Sequence, residues 1–156
     1  MVATARVTAD DLSDLVPMMR AYCRFYRTSP SDEALMTLSR ALLDAPDHEG
    51  VQLIARGEEG SPLGFATVFW SWDTTEAVRS AILHDLFVVP AARGGGVGRA
   101  LIAACAEEAD QHRHGQLVWQ TAPDNTTAQR LYDATAAERS TWVHYTLAVP
   151  ASTPPA

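Results

Sequence analysis

The sequence predicts an α/β domain with a mixed central sheet of about six to seven strands flanked by about four helices. Three observations predict it. Strand-like and helix-like runs follow one another in the order β-α-α-β-β-β-α-β-α-β. Short polar turns join some neighbouring strands, while one connection passes through a helix, so antiparallel and parallel pairs are mixed. A strand ending at Val89 runs into a glycine-rich turn and then a helix. The 156 residues suit a single domain over 1–149 with a real core, followed by a disordered tail over 150–156, Pro-Ala-Ser-Thr-Pro-Pro-Ala.

The elements take their places in order. Ala3 to Val7 alternates weakly, as a first strand does. Thr8 is placed as an N-cap, with Asp11 in the capping-box position. A helix to about Arg27 follows, with Leu12, Leu15, Val16 and Met19 on one face. Pro17 is expected to kink or divide it. Ser29 and Pro30 read as the start of a second helix whose apolar stripe is Leu35, Leu38, Leu42 and Leu43. Val51 to Arg56 and Leu63 to Ser71 form a hairpin across the polar turn 57–62. Arg79 to Val89 is the central strand, ended by Pro90. Val97 to His114 is a helix capped by Gly115, and Gln116 to Thr121 is a strand. A helix over about Asn125 to Ala137 and a last strand over Thr141 to Val149 complete the domain.

Composition bounds the function. Hydrophobic residues make up 47% and charged residues 20%, ordinary for a globular protein. No run approaches the ~20 apolar residues of a membrane span, and Met1 to Arg6 lacks a signal-peptide build, so a cytoplasmic location is expected. Cys23 and Cys105 read as reduced thiols on separate helices, and no Cys/His spacing suggests a metal site. The net charge of −7 argues against nucleic-acid binding. It suits a cationic substrate, or simply solubility.

The chemistry sits in Arg93-Gly94-Gly95-Gly96-Val97-Gly98-Arg99. Glycines let the backbone turn tightly and approach a ligand, and the open amides and dipole of a helix start attract an anion. The dinucleotide pattern fails because Arg99 stands where its third glycine would be, and the Walker pattern fails because the chain has no lysine. A loop without a ligand remains the other reading.

The pattern Arg93-x-x-Gly96-x-Gly98 directly after a strand resembles the GNAT superfamily of acetyl-CoA-dependent N-acetyltransferases. The order of elements resembles the GNAT fold over nearly the whole chain. A second motif agrees: Asn125-Thr126-Thr127-Ala128-Gln129-Arg130-Leu131-Tyr132 is similar to the family's Asn-x-x-Ala-x-x-Leu-Tyr. The spacing i, i+3, i+7 puts Asn125, Ala128 and Tyr132 on one helix face. The resemblance implies that the turn residues Arg93 to Arg99 hold the pyrophosphate of coenzyme A. It also implies contacts from Leu86, Phe87, Val88, Asn125, Ala128 and Tyr132, with a strand N–H near Leu86 to Val88 as the oxyanion donor. Tyr132 then protonates the departing thiolate, a role its ordinary pKa of about 10 allows.

A base for the acceptor amine is sought at His84, with Asp85 in reserve and His144 a distant third. Adjacent strand residues face opposite ways, so one of the first pair faces the site unless a bulge shifts the parity. The motifs look most like the polyamine and histone-type branch, although His84 departs from the acidic residue common there. Tyr22, Phe25 and Tyr26 read either as an acceptor-site wall or as core, and Trp70 and Trp72 as pocket lining or rim. The implied partners are a small-molecule amine (polyamine, amino-acid-like or amine-bearing antibiotic) and, as in many members, a second copy. A protein lysine or N-terminus is the other acceptor, and a non-catalytic acyl-CoA-binding module the other class. No metal, nucleic acid or membrane is expected.

Overall fold

The computed structural model describes residues Met1–Val149. The expected tail, 150–156, lies outside the described residues. The chain divides into two compact units, Met1–Ala122 and a second that begins at Pro123.

The first unit holds five strands: β1 (Ala3–Arg6), β2 (Gly50–Arg56), β3 (Pro62–Asp73), β4 (Val78–Val88) and β5 (Gln116–Val118). They lie side by side in that order, antiparallel from β1 to β4 and parallel between β4 and β5. The sheet is therefore mixed, as the hairpins and the single helical crossover predict. Its helices are α1 (Leu12–Phe25), α2 (Asp32–Asp44) and α3 (Val97–Gln111). The second unit carries α4 (Thr126–Asp133).

Alternation assigns the faces. Ile54 pairs with Phe65, and both join a buried cluster with Val7, Leu15, Met18, Met19, Leu35 and Phe87, so this face lies under α1 and α2. The next pair, Ala55 and Gly64, faces the other way, toward Leu101 of α3. Leu15, Phe65, Leu53 and Leu101 are almost fully buried, and burial of each such side chain stabilises the fold by about 1.5–3 kcal/mol. Arg6 on β1 ties the sheet to α3 through a two-pronged pair with Glu108, Nε to Oε1 at 2.8 Å and Nη2 to Oε2 at 2.6 Å.

Gly64 fixes how closely β3 and β4 approach. A Cβ there would lie 2.4 Å from the Phe87 carbonyl oxygen and 3.3 Å from Leu101 Cδ1. Gly64→Val is expected to destabilise the protein by about 3 kcal/mol and to lower Tm by roughly 6–12 °C. Calorimetry checks this, and an unchanged Tm would mean that the strands can part freely.

Several expected boundaries move. The Thr8–Asp11 box forms, with Asp11 Oδ2 accepting from the Thr8 N–H and hydroxyl at 2.8 Å each. It opens a short 3-10 turn (Ala9–Asp11) that leads into α1. Pro17 does not divide α1, which runs unbroken across it. The missing N–H removes one helix bond, and the buried face of Leu15, Val16, Met18 and Met19 holds the rest. The second helix starts at Ser31, not Ser29: Ser31 Oγ accepts from the Ala34 N–H at 3.1 Å, and Asp32 and Glu33 follow in the first turn. In its stripe Leu35 and Leu42 are buried while Leu38 is exposed.

Gly115 does not cap α3. Arg113 takes the left-handed conformation (φ 58°), and the His114 N–H reaches the Ala109 carbonyl at 2.8 Å. The expected strand over 141–149 is absent among the described residues. No strand pairs with it, and its apolar side chains are exposed. The sheet therefore has five described strands rather than six or seven.

Candidate active site

The site is organised by one irregularity in β4. Asp85 pairs with Thr67 and Leu83 with Val68, so His84 has no partner on β3 and forms a bulge. The bulge breaks the alternation that would otherwise send two neighbouring side chains to opposite faces. His84 and Asp85 come together, with Nδ1 and Oδ1 3.1 Å apart. The Asp85 side chain is largely buried while that of His84 is largely exposed. The Asp85 hydrogen bond raises the His84 pKa above its ordinary value; burial opposes this and the Asp85 charge adds to it. The Phe69 ring stands edge-on to His84, with centroids 5.4 Å apart.

Beside this pair the sheet opens. The β4–β5 ladder covers only Ser80 to Ile82. From Leu83 to Val88 the outer edge of β4 has no strand paired to it among the described residues, so alternate N–H groups along that edge face outward. Leu86, Phe87 and Val88 occupy this segment and lead into the glycine turn.

After β4, Pro90–Ala92 form a 3-10 turn. Gly94 and Gly96 then adopt φ of 79° and 85°, a region open to glycine and strained for other residues. A Cβ on either would meet nothing within 4 Å, so these glycines serve a backbone shape and an open space rather than packing. Gly96 is the N-cap of α3 and offers no side-chain cap. The first amides of the helix, at Val97, Gly98 and Arg99, thus face an open cradle. Such a cradle fits a pyrophosphate. Arg93 curls back over the turn, its Nε donating to the Val88 carbonyl at 3.1 Å.

In the second unit Asn125 is the N-cap of α4, its Oδ1 accepting from the Ala128 N–H at 3.1 Å. Ala128 and Tyr132 follow on the helix. His144 lies outside any helix or strand, its Nε2 3.0 Å from Thr146 Oγ1.

The aromatic candidates separate. Tyr22 is part of the core cluster, its ring centroid 6.4 Å from Phe87 and 6.0 Å from Phe65. Phe25, the last residue of α1, and Tyr26, its C-cap, lie beside it and are exposed. The structure does not bring Trp70 to this group. It alternates with Phe69 and so faces the α3 side, buried against His112 and His114 at 4.6 Å each, with Nε1 donating to the Pro46 carbonyl. Trp72 shares that face and lies under the Arg79 guanidinium, 5.0 Å from its ring. Sequence reasoning missed Phe69. Its signal was the period-two series Phe65, Thr67, Phe69, legible only once the register with β4 is known.

The His114 ring is buried, and its Nδ1 has no hydrogen-bond partner among the described residues. Burial lowers its pKa first, then the Arg79 and His112 charges. The unfolded chain therefore takes up the proton first, and stability falls as pH drops below about 6.5. His84 has the opposite sign: its raised pKa contributes stability that is lost as pH rises through that value. His114→Phe is expected to lose less stability than the parent between pH 7.5 and 5.5 in denaturant unfolding. Equal losses would remove His114 as the source.

Comparison with known proteins places the chain in a family. Residues 15–136 match the model of the "Acetyltransferase (GNAT) family". The chain is 36% identical over 142 residues to the "Uncharacterized N-acetyltransferase YhfO" of Bacillus subtilis (strain 168), covering 90% of this chain and 93% of that one. It is 36% identical over 77 residues, about half of each chain, to the "Aminoglycoside N(6')-acetyltransferase type 1" of Stenotrophomonas maltophilia. A solved structure described as a probable acetyltransferase superposes with a TM-score of 0.83 at 23% identity, covering 96% of this chain and 99% of that one. The AAC(6')-Iy complex with a bisubstrate CoA analogue gives 0.82 at 22%, covering 96% and 99%. By the family match over most of its length, the chain belongs to the GNAT family of N-acetyltransferases, enzymes that use acetyl-CoA as acyl donor.

Proposed function

We propose that this enzyme acetylates the primary amine of a small molecule by direct attack of the amine in a ternary complex. The observation that carries this reading is the bulge pairing His84 with Asp85 beside the open edge of β4 and just before the glycine turn. Arg93 and the amides over 94–99 hold the pyrophosphate of acetyl-CoA, and Leu86, Phe87 and Val88 border its arm. When bound, that group supplies an acetyl carbonyl activated as a thioester. An outward N–H of the β4 edge donates to the carbonyl oxygen as it gains charge.

An alkyl amine has a pKa near 10 and is protonated at neutral pH. His84 takes its proton, directly or through water, since a raised imidazole is closer in basicity to the amine. Tyr132 gives a proton to the leaving sulfur. Ala128 lies one turn before it on α4 and allows close approach, and Asn125 caps that helix. Phe25 and Tyr26 form part of the acceptor wall, and the excess of acidic residues suits a cationic acceptor.

The test has two parts. Thermal unfolding is measured with acetyl-CoA and with ATP and NAD as controls; a ligand at 100 times its Kd adds about 2.7 kcal/mol. Thiol release is then followed with polyamines, amino-acid amides, aminoglycosides and a lysine peptide. A thermal shift with acetyl-CoA and thiol release with a small amine support the proposal. Release with the peptide alone would move the acceptor to protein, and a shift without release from any acceptor would leave only a binding module.

A further inference from the structure

We infer that the row Phe69–Ile82–Val118 is the floor of the acceptor site, and that the acceptor is a primary amine with one apolar alkyl or aryl arm rather than a polyamine or an aminoglycoside. The inference rests on the reading of His84 as the group that receives the amine. It narrows the small molecules proposed above to one class.

The register maps the α1 side of the sheet row by row. Paired residues share a face, and every second residue of a strand returns to it. The first row is Ile54, Phe65 and Phe87, packed against α1 and α2. The second is polar: Gln52, Thr67 and Asp85. Gln52 Nε2 donates to Thr67 Oγ1 at 3.2 Å and lies 3.7 Å from the sulfur of Met19 on α1, so a helix covers this row too. The third row is Phe69, Ile82 and Val118, and the fourth is Ser71, Ser80 and Gln116.

Burial changes between the second row and the third. Phe65 and Thr67 are fully buried, whereas Phe69 and Ile82 are half-buried and Val118 is 39% exposed. The third row crosses three strands, a span of about 10 Å, and is apolar throughout. His84 adjoins it, following Ile82 by two residues and standing edge-on to the Phe69 ring at 5.4 Å. Its Nδ1 is engaged with Asp85, so Nε2 is the nitrogen left for the amine. An amine that reaches Nε2 has its first carbons beside Phe69 and Ile82. Apolar lining around a few placed polar groups is the make-up of a small-molecule site.

Charge decides between arms. A second ammonium group on the acceptor needs a carboxylate of its own. Asp85 and Asp73 are the carboxylates that β4 and β3 carry on this face, and both have partners. Asp85 meets His84 at 3.1 Å. Asp73 Oδ2 accepts from Gln116 Nε2 at 2.8 Å, and its Oδ1 accepts from the Thr75 N–H and hydroxyl. An apolar arm therefore gains by leaving water on this row, and a polycation would lay further charges on carbon.

The test is a series of primary amines from ethylamine to hexylamine, with phenylethylamine, the terminal diamine of hexane, spermidine and an aminoglycoside. The kcat/KM is expected to rise about threefold with each added CH2. Hexylamine is expected to exceed its terminal diamine at least ~10-fold. The Kd of each amine, measured by calorimetry with saturating CoA, is expected to follow the same order. Ile82→Thr keeps a β-branched side chain on the strand and removes apolar surface. It is expected to flatten the rise while ethylamine turnover and the Kd for acetyl-CoA stay parental. Val118→Glu puts a carboxylate at the exposed end of the row and is expected to turn the preference toward the diamine. Circular dichroism checks that both variants are folded. Equal kcat/KM along the series, a diamine or aminoglycoside used as well as hexylamine, or a parental rise in both folded variants would overturn the inference. Thiol release from none of the amines would instead sink the reading of the protein as a small-amine acetyltransferase, and the Kd series would still decide whether the row holds an apolar arm.

Discussion

Gly96→Glu is expected to weaken acetyl-CoA binding at least ~100-fold, because it places a carboxylate where the pyrophosphate belongs. Gly96 is the N-cap of α3, and a side chain there enters open space over the first helix amides. The new carboxylate takes those amides for itself and repels the phosphates. The substitution also forces a non-glycine residue to φ 85°, at about 1–2 kcal/mol. Gly60→Glu supplies the control: Gly60 has φ 77° and nothing within 4 Å of its Cβ, but it lies in the β2–β3 turn. Both variants carry similar strain, so calorimetric titration separates a lost cradle from a strained backbone. Parental affinity in Gly96→Glu would remove the turn from cofactor binding.

Tyr132→Phe is expected to lower kcat about 10²-fold or more while leaving the Kd for acetyl-CoA nearly unchanged. The phenol supplies a proton only as the thiolate leaves, so its loss falls on turnover and not on binding. The aromatic ring stays. A variant turning over at the parental rate would take Tyr132 out of the chemistry and pass thiolate protonation to solvent.

Much of the fold was legible because its signals are local. The Thr8–Asp11 box, the polar turn between β2 and β3 and the glycines before α3 each act within a few residues. Some local signals misled. Ser29-Pro30 has the pattern of a helix start, but the second helix is capped two residues later by Ser31, with Asp32 and Glu33 in its first turn. Pro17 signals a break, yet the buried face of α1 outweighs one lost hydrogen bond. The apolar alternation over 141–149 signals a strand, and alternation alone does not supply a partner to pair with.

The sequence by itself determined the class of fold, the helix faces and the glycine turn, since periodicity and glycine placement are set residue by residue along the chain. It also determined the family, through two motifs each contained within one turn-and-helix or one helix. Only the tertiary structure decided which side chains meet at the acceptor end. The bulge at His84, the turn that joins it to Asp85 and the placing of Trp70 on the α3 face all follow from the register of β4 against β3. That register is fixed by pairing between residues distant along the chain, and a slip of one position exchanges the two faces of a strand.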